Sequence, residues 1–479
     1  MKRTTFLLAN LAFAAAAAAV GGLFAHDDLS FILWVGHFTA ETLDVYGAVA
    51  GAVPEMLPAV TYAPVIYWLF GLWTELGRLL LGLYDVPWDR PVYLPGVDYV
   101  WARLLLLPFH FALAWGSLQV LRGLGREPLA ADSGGARWWF LLLQPVALFV
   151  SFFMGQVDVV PAALTVCAVA LLYQERVVTA FVLLALATLT KNYPVFLTGI
   201  CALGLIGFSP RPELRRRAVA GLAIYAGVLA LPFALVWGPA LRDSYLRLSN
   251  AGFVYRYLDL PWLEIDVYRY AAVVGLFLVV FSPGLRAVLV EVGGAAWSRL
   301  RERSLEPETV RRLVFWSFLA FLGCLFFNRV WMPQYMVWVM PWLSILALHL
   351  ADARGERRYL WLLLGMNLLY LAVVPLYWVG NVDTNIARFA KPSVTLGQLA
   401  KGWLGIDKPP VLWMLFSAAF VVLALRALAE IRLLLLRREA PAGSRPAPTP
   451  GTLGALTATQ ASAFALLFGA HVWVALSAS

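Results

Sequence analysis

The chain has 479 residues, 61% of them hydrophobic and 14% charged, with a mean hydropathy of +0.76. Soluble domains are about 45–50% apolar and about 25% charged, so a soluble fold is excluded and the composition is that of a polytopic membrane protein. Lysine and arginine number 37 against 28 aspartates and glutamates, an excess that in a membrane protein reports topology and calls for no nucleic acid. The three cysteines, scattered through apolar runs, exclude a disulfide scaffold and a cysteine zinc site.

Met1-Lys2-Arg3 precedes an apolar run over 6–25. That run exceeds the signal-peptide core of about 7–15 residues and reads as a retained first span with a cytoplasmic N-terminus. Further apolar runs lie near 99–121, 137–154, 158–174, 177–208, 216–238, 266–286, 312–328, 334–351, 358–379, 411–435 and 456–476. A span takes about 20 residues, within a range of about 17–25. The run 177–208 is too long for one. Arg176 before it and Arg211, Arg215, Arg216 and Arg217 after it place both its ends in the cytoplasm. It becomes a short hairpin with Lys191-Asn192-Tyr193-Pro194 at an outward tip. The segment 57–84 is kept on the outer side as a membrane-lying helix, because a span there would carry Arg122 and Arg126 outward. The expected fold is all-α and polytopic, with about 13 transmembrane helices. Its outer loops run over 26–98, 239–265 and 380–410, the first containing membrane-lying helices. The stretch 437–452, rich in proline, alanine, glycine and serine, reads as a disordered cytoplasmic linker before the last span, 453–479.

The polar residues that spans tolerate poorly collect on the outer side. The first loop opens with His26-Asp27-Asp28, whose acidic pair suits a base or a divalent cation and equally a solvated loop start. Asp44 stands alone before Tyr46, placed to take a proton from an attacking hydroxyl. Gly155-Gln156-Val157-Asp158 ends the third span. Asp158 there suits either a ligand contact or the cap of the helix that Pro161 opens. Lys191 inside a membrane segment would cost about 2.5–3.5 kcal/mol on insertion scales and so points to function, most simply as a phosphate partner. Asn328-Arg329 and Pro333-Gln334-Tyr335 bring a guanidinium next to a proline-started helix. Arg242, Arg247 and Arg256 stand among tyrosines in the second outer loop, a pattern shared by phosphate-binding lids and by amphipathic surface helices. No GxxxxGK[ST], HExxH or GxSxG sequence is present, and the five histidines are scattered, so no metal site is assigned.

The order of a first-loop Asp, Tyr62-Ala63-Pro64, Gly155-Gln156-Val157-Asp158, Lys191-Asn192-Tyr193-Pro194 and Asn328-Arg329…Pro333-Gln334-Tyr335 resembles the GT-C class of polytopic glycosyltransferases. Within that class it is most similar to the polyprenyl-phosphate-mannose-dependent α-mannosyltransferases of actinobacteria and to the catalytic subunit of GPI mannosyltransferase I. The resemblance covers roughly residues 25 to 345. It implies a GT-C-like catalytic module over 1–351 and a C-terminal helical region over 352–436. It also implies transfer of a sugar, mannose by default, from a polyprenyl-phosphate donor to a lipid-linked or glycan acceptor at the outer face of the plasma membrane, with inversion. The base would be Asp44, with the Asp27-Asp28 pair as the alternative. Lys191, Arg329 and Arg256 would hold the donor phosphate. Tyr62, Gln156, Asp158, Asn192, Tyr193, Asn328, Gln334 and Tyr335 would line the substrate. The competing reading is a transporter or flippase of a lipid-linked or anionic solute, whose polar residues would gather near the membrane midplane.

Overall fold

The computed structural model of the chain describes residues 3–22, 24–84, 96–125, 131–244, 282–303, 305–326, 335–377, 382–384, 410–436 and 450–477. Nearly all of these are helical. In chain order the helices are α1 (Arg3–Gly22), α2 (Asp27–His37), α3 (Val45–Ala52), α4 (Pro64–Leu81), α5 (Gly96–Leu124), α6 (Ala131–Leu142), α7 (Pro145–Leu148), α8 (Val159–Tyr173), α9 (Val177–Thr188), α10 (Pro194–Ala202), α11 (Pro212–Leu235), the single turn α12 (Pro239–Leu241), α13 (Pro283–Glu302), α14 (Pro307–Phe326), α15 (Met336–Arg354), α16 (Arg358–Tyr377), α17 (Pro410–Leu435) and α18 (Pro450–Ser477). A two-stranded antiparallel pair, β1 (Phe24–His26) with β2 (Val382–Thr384), ties the chain just after α1 to the segment after α16. This small sheet is the one departure from an all-α chain among the described residues.

Among the described residues four helices are long and apolar enough to cross a membrane: Thr4–Gly22, Gly96–Leu124, Pro212–Leu235 and Gly451–Ala470. The helices Gly135–Leu142 and Pro145–Met154 reach that length and apolarity only together, bent by 48° as a broken span or a re-entrant loop. Pro145 lacks the N–H that would continue the helix, which accounts for the break. Five shorter apolar helices stand among them: Val159–Tyr173, Val177–Thr188, Pro194–Phe208, Met336–Asp352 and Arg358–Ala372. The run 177–208 divides into α9 and α10, with Lys191 in the turn between them and Pro194 opening α10. The sequence expectation for 266–286 falls mostly outside the described residues. Residues 283–302, expected as the end of that span and a loop, form the helix α13.

The helix junctions sort into two ends. At one, ion pairs join successive turns. Arg211 meets Glu175 at 2.8 Å and Arg311 meets it at 3.6 Å. Arg137 grips Asp352 with two hydrogen bonds of 2.8 and 3.1 Å, and Arg312 donates to the carbonyl of Leu124 at the end of α5. Arg426 reaches Glu356, in the α15–α16 turn, at 3.5 Å. At the opposite end lie Gly22, residues 24–28, 155–158, 188–193 and 335. Between the ends, α5 and α8 form the centre of one continuous apolar core, with Trp34, Trp316 and Trp342 fully buried.

The first loop contributes two helices that lie on one another. α2 and α4 cross at Gly36 and Gly71, where a Cβ on Gly71 would collide with the Gly36 carbonyl oxygen, so only glycine admits the approach. α4 in turn joins α5 through Trp73 and Trp101. Their rings stack at 4.6 Å, and each indole N–H donates to the other's backbone carbonyl at 2.7–2.8 Å. α4 buries Ile66, Tyr67 and Phe70 on one side and exposes Leu72, Leu76, Leu79 and Leu80 on the other, so it is apolar on both faces.

Candidate functional site

The site is assembled from three helix breaks and the start of α15. The first break is the end of the helical turn Phe149–Met154. Gly155 adopts φ +67°, and a Cβ there would stand 2.7 Å from Leu29 and 3.0 Å from Arg103 Nε. That left-handed turn brings Gln156 and Asp158 inward, both buried. The second break is the α9–α10 turn, which presents Lys191. The third is the extended chain before α4, which presents Tyr62. The carbonyl of Tyr62 accepts from the Tyr46 hydroxyl and its N–H donates to the Tyr67 hydroxyl at 3.3 Å.

Lys191 Nζ sits 3.7 Å from Asp158 Oδ1, 4.4 Å from the centre of the Tyr62 ring and 5.7 Å from that of Tyr335. Its side chain is 20% exposed while Asp158 is fully enclosed. Asp158 does not cap α8. Its Oδ1 instead accepts from the Trp338 indole N–H at 2.9 Å, and its Oδ2 has no hydrogen-bond partner among the described residues. Trp338 is sandwiched between Tyr193 (4.2 Å) and Tyr335 (4.1 Å), both nearly parallel to it. Gln156 donates its amide to Asp28 Oδ2 at 2.7 Å, so Asp28, in the first turn of α2, faces the same cluster.

The Asp158 carboxylate at 3.7 Å favours the charged form of the Lys191 ammonium. Asp28, Asp158 and Lys191 together present two carboxylates and one ammonium, a combination that accepts hydroxyl donors and sets a cation beside them.

Comparison with models of protein families, with curated proteins and with solved structures finds no match to this chain.

The structure brings Tyr62, Gln156, Asp158, Lys191, Tyr193 and Tyr335 together with Asp28. Asn192 lies beside Lys191, where its carbonyl accepts from the Val195 N–H in the first turn of α10. Asp44 has a different local role: its Oδ1 accepts from the Gly47 N–H at 3.0 Å, capping α3. Asp27 opens α2, and its side chain lies outside the described residues, as do Arg256, Asn328, Arg329 and Gln334. Among the described residues no three His, Cys, Asp or Glu side chains converge as a metal site would require.

Two residues at the cluster were not among the expected site residues: Trp338, whose tryptophan and tyrosine surroundings read as an interfacial aromatic belt, and Arg103. Trp338 had a signal, since Tyr335 and Trp338 are three apart and share a helix face. Arg103 had one in its charge within an apolar run. It is fully buried and donates to the carbonyls of Gly21 (2.6 Å) and Phe153 (2.9 Å). Those carbonyls belong to the ends of α1 and of the turn preceding Gly155, so Arg103 fastens the two segments that carry Asp28 and Gln156.

Proposed function

We propose that this protein is a polyprenyl-phosphate-sugar-dependent glycosyltransferase of GT-C type, acting at the membrane face opposite the arginine-rich end. The observation that carries the reading is the meeting of Asp28, Asp158 and Lys191 at that end, next to the stacked helices α2 and α4. Arginine-rich helix ends favour the cytoplasmic side, which supports an outer-face position for the cluster. The two-faced apolar α4 fits a helix lying in the interface between bundle and lipid. A transporter would gather its polar groups near the midplane, whereas these side chains come from helix breaks at one end.

In this reading the acceptor hydroxyl oxygen attacks the anomeric carbon of the sugar from the face opposite the phosphate. Asp28 takes the hydroxyl proton. The bond from the anomeric carbon to the phosphate oxygen breaks, and the phosphate leaves with the electron pair. Its charge is offset by Lys191, and by Arg329 as the resemblance implies. The free Oδ2 of Asp158 accepts from a sugar hydroxyl, and the Tyr335 ring offers an apolar face to the sugar. Membrane lipid surrounds the bundle. The sugar is mannose by the resemblance, and the acceptor is a lipid-linked sugar or glycan.

The experiment is transfer of radiolabelled mannose from polyprenyl-phosphate-mannose to a membrane lipid extract, with purified wild type beside Asp28→Asn and Asp44→Asn. Product from wild type and Asp44→Asn, with none from Asp28→Asn, supports the assignment. Undiminished product from Asp28→Asn removes Asp28 as base. Intact solute flux through proteoliposomes without transfer favours the transporter.

A further inference from the structure

The helix α13 stands apart from the site and from the spans. Its middle is fastened at Glu291, which accepts two hydrogen bonds from Arg432 at 2.7 and 3.2 Å. Arg426, on the same helix as Arg432, is level with the α15–α16 turn through Glu356. Arg432 lies six residues further along α17, about 9 Å beyond that turn at 1.5 Å per residue. Near its other end, Leu300 fills the space beside Gly207, at the close of the turn that ends α10. Two points of α13 more than two turns apart thus both lie at the arginine-rich end, so the helix runs across that end rather than through the bundle.

The inner side of α13 is anchored by Val292, Ala296 and Leu300 against the core. Its outer side carries a ridge of four residues, Arg286, Val290, Trp297 and Arg301. At 100° per residue they fall within about 60° of arc. Val290 is 69% and Trp297 68% exposed, and both arginines are exposed. Neither Arg286 nor Arg301 has an ion-pair partner among the described residues. The ridge is therefore apolar in the middle and cationic at both ends, about 22 Å long. Arg216 and Arg217, exposed at the start of α11, belong to the same end of the molecule.

An apolar strip with a tryptophan and flanking arginines is the pattern of a helix lying in a membrane interface. We propose that α13 is an interfacial helix that binds anionic phospholipid: Val290 and Trp297 enter the acyl boundary, while Arg286 and Arg301 each hold a phosphate-bearing headgroup. The occupant is lipid of the leaflet at the arginine-rich end. Charge decides this, because an unpaired guanidinium at each end of an apolar ridge complements a surface that is oily between negative headgroups. The proposal rests on the membrane reading alone and is independent of glycosyl transfer.

The test uses the full chain in nanodiscs of phosphatidylcholine and of phosphatidylcholine with phosphatidylglycerol in equal parts. A bimane label at Trp297→Cys, with Val290→Cys as the second position, is probed with brominated lipid and with aqueous iodide. The expected result is quenching by brominated lipid and protection from iodide. The Arg286→Gln and Arg301→Gln variants should each lower phosphatidylglycerol enrichment around the protein by roughly fivefold, the worth of one arginine at an anionic surface. Quenching by iodide alone overturns the proposal, because the ridge would face water. Protection from both quenchers also overturns it, because protein would cover the ridge. Equal enrichment in wild type and variants removes the headgroup role.

Discussion

Asp158 and Lys191, carried by two different helix junctions, meet at 3.7 Å with the carboxylate fully enclosed and the ammonium one-fifth exposed. Removing one member of such a pair leaves a buried charge with too few partners. Lys191→Met should therefore destabilise the protein by about 3 kcal/mol, at the lower end of the range for buried pairs because Lys191 touches solvent. Combining it with Asp158→Asn should recover most of the loss. Thermal unfolding of the two single variants and the double variant in detergent checks this. Additive losses would show that the two side chains are not coupled.

On the proposed function Asp28 and Asp44 differ in role, one as base and the other as helix cap. Asp44→Ala removes the cap of α3 and should cost about 1 kcal/mol, with transfer reduced no further than that loss explains. Asp28→Asn should lower transfer at least about a hundredfold, as expected for a lost general base, with unfolding temperature little changed. Turnover and melting measured on both proteins distinguish the two effects.

The crossing of α2 and α4 admits no side chain at Gly71. Gly71→Ala brings a methyl against the Gly36 carbonyl and the Thr39 side chain. The expected loss is about 1–3 kcal/mol, the range for overpacked contacts. Gly51→Ala, on the exposed side of α3 with nothing within 4 Å of its Cβ, should instead stabilise by about 0.5–1 kcal/mol. Opposite shifts in unfolding temperature for the two variants are the expected reading.

His37, at the end of α2, titrates below the ordinary histidine value of 6.5. Burial disfavours its charged form and outweighs Glu75 and Glu41, which favour it; Arg78 adds to the lowering. A lowered value in the folded protein means that the unfolded chain binds the proton more tightly. Stability is then greatest above pH 6.5 and falls as the pH drops below it. Unfolding temperature should decline on acidification through that window, and His37→Gln should flatten this part of the profile.

Composition and apolar runs determined by themselves that the chain is helical and belongs in a membrane, because hydrocarbon leaves the backbone few other ways to satisfy its hydrogen bonds. Pro194 marked the restart of the helix after Lys191, whereas the run 137–154, read as one span, is broken at Pro145 and the chain turns inward at Gly155. Lys191 was legible as a site candidate from its charge among apolar neighbours. The roles of the aspartates were not. Both Asp44 and Asp158 immediately precede a helix, where a carboxylate can turn back to the backbone N–H groups. Asp44 does so, accepting from Gly47. Asp158 turns away because Lys191 and the Trp338 indole lie across from it, and those partners arrive from α9–α10 and α15. Local sequence sets the options of a helix-capping residue. Only the packing of distant helices decides which one is taken, because the competing partner is brought there by tertiary structure.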